Sequence, residues 1–304
     1  MASLKEIKSR IASVNSTKQI TSAMKMISSA KLRKAQDTVS YFYPYQQKLH
    51  EILYNYMEYE RRNNCKYKII YSERREIKKV AIVVISSNSS LCGAFNSNIF
   101  RLLEKTIESY TNLSEEDFII IPIGKMATKF VKRYPDIYQY NLDAFVDKPI
   151  YNDIAGFADN LAQLFLEDKV DKIEFIYQHF KNNSVQVLTK EQFLPFQPET
   201  VITNAVENED ENDEHNFEYE VNYIVEPDRQ QLLYMLIPTV IRQTVYGKII
   251  DSIAAEHSAR TIAMQVATDN ATDLLQSLKI QYNKSRQQAI TNELLDIMGG
   301  SIDG

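Results

Sequence analysis

Between residue 4 and about residue 57 the chain holds no glycine, and apolar positions recur at helical spacing. Leu4, Ile7, Ile11 and Val14 are separated by three, four and three positions, the seam of a coiled coil in which a partner helix covers a narrow apolar stripe. Ile20, Met24 and Ile27 keep that step after a local shift, and the small residues Ala23, Ser28 and Ala30 permit close helix approach. Pro44 predicts a kink or a locally broken ladder, because proline lacks the N–H that the helix would use there.

The rhythm then changes. Residues 78–87 carry a continuous β-branched run bounded by charge and turn formers, the pattern of a strand buried on both faces of a parallel sheet. Residues 118–124 repeat it. Helical stretches are predicted over about 95–110, 125–134 and 151–167, the last with Ile154, Phe157, Ala158, Leu161, Leu164 and Phe165 on one face. Segments 172–180 and 184–193 predict a hairpin around Lys181-Asn182-Asn183. Alternating strands and helices predict an α/β domain, Rossmann-like, with a largely parallel sheet. The acidic run at 207–214 has no apolar period and is expected to be a disordered or hairpin-tip insertion.

From Pro227 to Met298 the chain is helical again, with Gly299 and Gly300 as a stop signal. Leu274, Leu278 and Tyr282 step by four, and Ile290, Leu294 and Ile297 by four and three. Pro238 and Gly247 predict a break or kink early in this helix. The chain thus divides into an N-terminal helix (1–60), a central α/β domain (61–225) and a C-terminal helix (226–304).

A helix of about 70 residues is roughly 105 Å long and cannot bury its own stripe, so it needs a partner of similar length. The N-terminal helix, about 50 residues and roughly 75–80 Å, is the candidate within the chain. Paired antiparallel, the C-terminal helix overhangs its partner by about 20 residues, on the order of 30 Å. Such a tip, exposing Ile290, Leu294 and Ile297, requires a socket in another protein.

Charge sharpens this picture. Residues 1–36 carry Lys5, Lys8, Arg10, Lys18, Lys25, Lys31, Arg33 and Lys34 against Glu6, a local charge of +7 in a chain of net charge −5. Residues 226–304 hold seven basic and nine acidic residues, so the basic footprint is one-sided and argues against a nucleic-acid-binding coiled coil. Cys65 and Cys92 form no paired motif, and the four histidines, His50, His179, His215 and His257, are dispersed. Neither phosphate-cradling glycine motif occurs, nor does G-x-S-x-G. No cofactor, metal or intrinsic active site is expected. No apolar run approaches the ~20 residues of a membrane-spanning helix.

Three segments carry a family likeness. KEIKSRIASVNSTKQITSAMKMISSAKLRKAQ (5–36), LCGAFNSN (91–98) and IIDSIAAEHSARTIAMQVATDNATDLLQSLKIQYNKSRQQAITNELLDIMGG (249–300) resemble, in order, the signatures of the γ subunit family of bacterial F-type ATP synthases. The resemblance implies a non-catalytic rotor. Its coiled coil would stand inside a hexamer of α and β subunits, and its globular part would sit below, against ε and the membrane ring of c subunits. By resemblance, Met24 and Lys25 match positions facing acidic segments of β, while Arg260, Arg286, Gln287, Thr291 and Glu293 match C-terminal positions contacting β and closing the catch.

Three departures stand out. Asn88, Ser89 and Ser90 replace the family's Asp-Arg-Gly, the tail ends Ser301-Ile302-Asp303-Gly304 instead of small and apolar, and the acidic run is not a family feature. Because the first segment begins almost at the initiator Met, a bacterial location on the cytoplasmic face of the inner membrane is expected over a mitochondrial one. A homodimeric coiled-coil scaffold is the alternative; it accounts for the heptads but not for the motif at 286–300.

Overall fold

A computed structural model of the chain describes residues 4–62, 70–73, 75–111, 113–132, 134, 142–196, 225 and 228–300. Cys65, His215, Pro227, the acidic run at 207–214 and the tail at 301–304 lie outside the described residues. The chain divides into two units, one of residues 1–30, 91–93 and 260–304, the other of residues 31–90 and 94–259.

Two long helices dominate. α1 spans Leu4–Arg62, 59 residues, and passes Pro44 without interruption. Pro44 lies on an exposed position, where the carbonyl it leaves without a helical donor can be met by water. The final helix spans Arg229–Gly300, 72 residues, and likewise runs through Pro238 and Gly247 as one helix, so of the break or kink expected there the break does not occur. On the turn around Pro238 the Thr239 hydroxyl donates to the Met235 carbonyl at 2.8 Å. At Gly247 an added Cβ would stand 2.8 Å from Gln46 Oε1, so glycine here lets the Gln46 side chain lie directly on the helix. The two terminal glycines belong to the last helical turn instead of following it.

The larger unit is built on a four-stranded sheet of order β2-β1-β3-β4. β1 (Val80–Ile85) is buried along its whole length and pairs in parallel with β2 (Phe118–Ile123) and β3 (Lys172–Phe180), Val80 opposite Phe118 and Lys172. β4 (Gln186–Leu194) closes the hairpin antiparallel to β3. Between the strands lie α2 (Phe95–Ser109), α3 (Lys125–Val131), α4 (Ala144–Asp147) and α5 (Tyr151–Leu166). With the last helix counted as α6, this is the Rossmann-like, largely parallel arrangement that the strand–helix alternation predicts. The four-residue α4 is too short to leave a periodic signal.

Side chains alternate across the sheet. Ala81, Val83, Ile85, Ile121, Ile123, Phe175 and Tyr177 share one core with α5, with Leu32, Ala35, Leu53 and Tyr56 of α1 and with Leu233 to Ala254 of α6. α2 packs on the other face of β1 and β3 through Ile99 and Leu103. Burying each such side chain contributes about 1.5–3 kcal/mol.

Polar groups also tie the helices to the sheet. Lys248 of α6 is buried against Glu191 of β4, and its ammonium lies 5.1 Å from the Tyr177 ring centroid. Tyr177 donates to Glu191 at 3.2 Å. Nearby, His50 Nε2 of α1 shares a hydrogen bond with the Thr244 hydroxyl at 3.1 Å, and enclosure together with Lys248 pulls its pKa down to about 4.

Gly124, with φ of 96°, starts α3; an added Cβ would stand 2.4 Å from the Ser86 carbonyl oxygen. The Ser86 hydroxyl in turn accepts from Ala127 N at 2.7 Å, satisfying one of the free donors at the helix start. Asn88, one of the family departures, serves the same corner: it accepts from Lys125 N at 3.0 Å and donates to the Asp143 carbonyl at 2.8 Å.

Candidate partner-facing surface

The smaller unit contains the first part of α1, the last part of α6 and the loop at 91–93. On α1 the buried or half-buried positions include Leu4, Ile7, Ile11, Val14, Lys18, Thr21, Lys25 and Ser28, an unbroken three–four step. On α6 the matching set is Met264, Thr268, Ala271, Leu275, Leu278, Tyr282, Ser285 and Ala289. The two helices run antiparallel and meet where the Thr21 and Thr268 hydroxyls approach to 2.8 Å. One hydroxyl donates across the seam and the other donates to its own helix, toward Lys18 O or Met264 O.

This seam corrects the sequence reading. The heptad does not shift after Val14; it continues through polar residues, and Ile20 and Ile27, each 59% exposed, stand outside it. The aliphatic stems of Lys18 and Lys25 can cover apolar surface while their ammonium groups reach water, so a lysine holds a seam position that a count of apolar residues misses. On α6 the seam takes Leu275, 7% exposed, and leaves Leu274 at 42%.

The site residues carried over from the family resemblance fall into two groups. Met24 and Lys25 are half-buried on α1, and Arg260 is buried on α6. Antiparallel pairing from Thr21–Thr268 puts Lys25 and Ser28 at the level of Met264 and Arg260. Arg286, Gln287, Thr291 and Glu293 are all exposed on the last turns of α6, where the Thr291 hydroxyl donates back to Gln287 O at 2.9 Å. Arg260 and Arg286 are 26 residues apart, roughly 39 Å along a helix, so the structure forms two separate clusters and not one.

The tip is single. From the threonine pair α1 has 17 residues left to Leu4, and α6 has 32 left to Gly300. Among the described residues about 15, or roughly 22 Å, therefore extend beyond the partner helix, fewer than the sequence reading gives because the Thr21–Thr268 register, and not the difference in helix length, sets the overhang. Ile290, Leu294 and Leu295 are exposed on this stretch.

Outside the seam both helices present apolar side chains to solvent: Ile20, Met26 and Ile27 on α1, and Ile262, Val266 and Ile280 on α6. Sequence reasoning assigned Ile20 and Ile27 to the seam and missed the others; their signal is that they fall off the three–four step. Exposed Lys5, Lys8 and Arg10 continue the surface toward the start of α1. Scattered apolar and cationic side chains on a narrow rod suit contact with a protein wall carrying apolar and acidic groups.

In the larger unit, a depression of about 490 Å³ is lined by Leu142, Phe145, Asn152, Asp153, Gly156, Phe157 and Asn160, a set with one carboxylate and no nucleophile–base pair. Among the described residues no helix is long and apolar enough to cross a membrane.

Comparison with known proteins gives one answer at three levels. A family model described as ATP synthase matches residues 3–302. The ATP synthase gamma chain of Bacteroides thetaiotaomicron is 46% identical over 99% of this chain and 100% of its own length, and that of Flavobacterium johnsoniae is 42% identical over 99% and 98%. Among solved structures, the rotor of the Euglena gracilis mitochondrial ATP synthase aligns with a TM-score of 0.58 at 16% identity, covering 94% of this chain and 98% of that one. The central stalk and c-ring structure of the Tetrahymena thermophila mitochondrial ATP synthase aligns at 0.53 and 22%, covering 82% and 99%. At these identities the two structures speak for the fold.

Proposed function

The chain belongs to the ATP synthase gamma chain family, the central stalk subunits of F-type ATP synthases, and from that premise we propose that the smaller unit is the part of a rotor that turns inside a hexamer of α and β subunits. The observation carrying this reading is the set of exposed apolar residues lying off the seam on both helices, Ile20 and Ile27 against Ile262 and Val266, which the helix pair itself leaves uncovered.

The pair is asymmetric in sequence, so each surrounding catalytic subunit meets a different face of it. A face that binds one conformation of β better than another shifts that subunit toward it, and turning the rod moves the bias to the next subunit. Cations at Lys25 and along α1 attract acidic levers on β, and the tip at Arg286, Gln287, Thr291 and Glu293 contacts the wall farther along. The sheet-bearing unit engages ε and the c-ring, on the cytoplasmic face of a bacterial inner membrane. The chain has no active site of its own; nucleotide chemistry belongs to the hexamer.

Cysteine labelling tests this. Ile27→Cys and Leu294→Cys, each in a Cys92→Ser and Cys65→Ser background, should react freely with a bulky maleimide in the isolated chain and be protected in the assembled synthase. Equal labelling in both would refute an enclosed rod.

A further inference from the structure

The predicted hairpin turn does more than reverse the chain. Asn182 Oδ1 accepts from Ser184 N at 2.9 Å and Val185 N at 2.8 Å, a side-chain turn that adds to the backbone bonds between Asn182 and Val185. With Asn182 committed to the turn, Asn183 faces both long helices. Its carbonyl accepts from the Ser258 hydroxyl of α6 at 2.8 Å, and its side-chain oxygen accepts from Gln36 Nε2 of α1 at 3.1 Å. Gln186, where β4 begins, donates to the same Ser258 hydroxyl at 3.0 Å. Two turns lower on α6, Asp251 accepts from Phe180 N at 3.0 Å and pairs with His179 Nδ1 at 2.6 Å.

Asp251, Ala254, Ala255 and Ser258 share one face of α6, since three and four residues make one turn. The two alanines are fully buried and let the strand end approach, while the polar residues at either end bond to it. Apart from the buried Lys248–Glu191 pair between α6 and β4, the remaining contact between these helices and the sheet is largely apolar, and apolar burial is non-directional. A rod held by such a surface alone is free to turn a little on its seat. Hydrogen bonds demand an angle as well as a distance, so five of them on one hairpin fix the azimuth of both helices relative to the sheet.

We infer that the β3–β4 hairpin is a clasp through which torque passes between the sheet-bearing unit and its two long helices, with Asn183 and Ser258 as positioning residues. The inference rests on the central-stalk reading and assigns a transmission element within it. Asn183 is suited to the part because it joins the hairpin tip to α1 and α6 at once.

The test uses membrane vesicles carrying the complete ATP synthase assembled with this chain. The double variant Asn183→Gly, Ser258→Ala removes the bonds that Asn183 and Ser258 make and keeps the Asn182 turn and the Asp251 anchors. Loss of three hydrogen bonds, Gln36–Asn183, Ser258–Asn183 and Gln186–Ser258, should raise the open population of the hairpin, read as amide exchange at residues 181–186, on the order of a hundred-fold. Protons pumped per ATP should match the unaltered synthase when no gradient opposes rotation, and fall by at least about three-fold against a steep gradient, where the clasp carries load. A change of stability alone would not depend on load. Gln36→Ala, an individually mild change, should give the same load dependence to a smaller extent. Unchanged pumping against a gradient in both variants, with the unaltered chain pumping normally, would overturn the clasp. Failure of the unaltered chain to support pumping at all would overturn the central-stalk reading beneath it.

Discussion

Thr21 and Thr268 bring their hydroxyls within 2.8 Å across the antiparallel helix pair, in a stretch of seam whose α1 side is otherwise held by Lys18, Lys25 and Ser28. A polar contact at a seam position costs apolar burial and defines which residues stand opposite one another. Replacing either threonine by valine removes one hydroxyl and leaves the other to its own helix. Each single change should therefore destabilise the smaller unit by about 1 kcal/mol, while the double change should cost clearly less than the sum, because the one bond across the seam is already lost in either single variant. Amide exchange at residues 14–28 and 264–275 measures this. Strictly additive losses would show that the hydroxyls do not interact.

His50 makes stability depend on pH. Its pKa falls from 6.5 to about 4 in the folded chain, chiefly through burial and secondly through the charge of Lys248. A depressed histidine favours the neutral form, so its contribution is complete above pH 6.5 and is lost as pH falls from there toward 4. Between pH 7.5 and 5 the unaltered chain should lose roughly 2 kcal/mol more than His50→Gln. Parallel denaturant curves for the two proteins over this window would contradict the assignment.

Gly124 sits where only glycine fits. Its φ of 96° and the Ser86 carbonyl, 2.4 Å from a hypothetical Cβ, leave no room for a side chain. Gly124→Ala should destabilise the larger unit by roughly 2–4 kcal/mol, since backbone and not a flexible tip must move. Thermal unfolding checks this, and an unchanged midpoint would mean that the corner relaxes without cost.

Met24 is half-buried beside the seam, next to Lys25. Met24→Lys adds a second cation at the face proposed to meet β, and its cost should appear in function more than in folding. ATP hydrolysis should persist while ATP-driven proton pumping in membrane vesicles falls by several-fold, about 1 kcal/mol in differential contact. Pumping equal to that of the unaltered synthase would count against contact at this position.

Much of this architecture was legible in the sequence for identifiable reasons. The strand from Val80 to Ile85 announces itself because burial on both faces demands an uninterrupted apolar run. Leu4 to Val14 announce a helix pair because nothing polar interrupts their step. The seam was lost at Lys18, where geometry puts charged and hydroxyl side chains on the stripe and leaves Ile20 and Ile27 outside. Leu274 and Leu275 are chemically identical, so only the register set by the opposite helix decides which is buried. Pro238 and Gly247 weigh against a helix locally, yet α6 continues because tertiary burial of Val240, Ile241, Val245, Ile249 and Ile250 outweighs two unfavourable positions. The bonds from Asn183 to Gln36 and Ser258 join residues 147 and 75 positions apart, and no local pattern encodes them.

The most direct test of the central claim is the composition of the assembly the chain forms. Purified chain mixed with α and β subunits of an F-type synthase should yield a particle of three α, three β and one copy of this chain by native mass measurement, active in ATP hydrolysis. A stable homodimer of the chain, with α and β left unassembled, would contradict it.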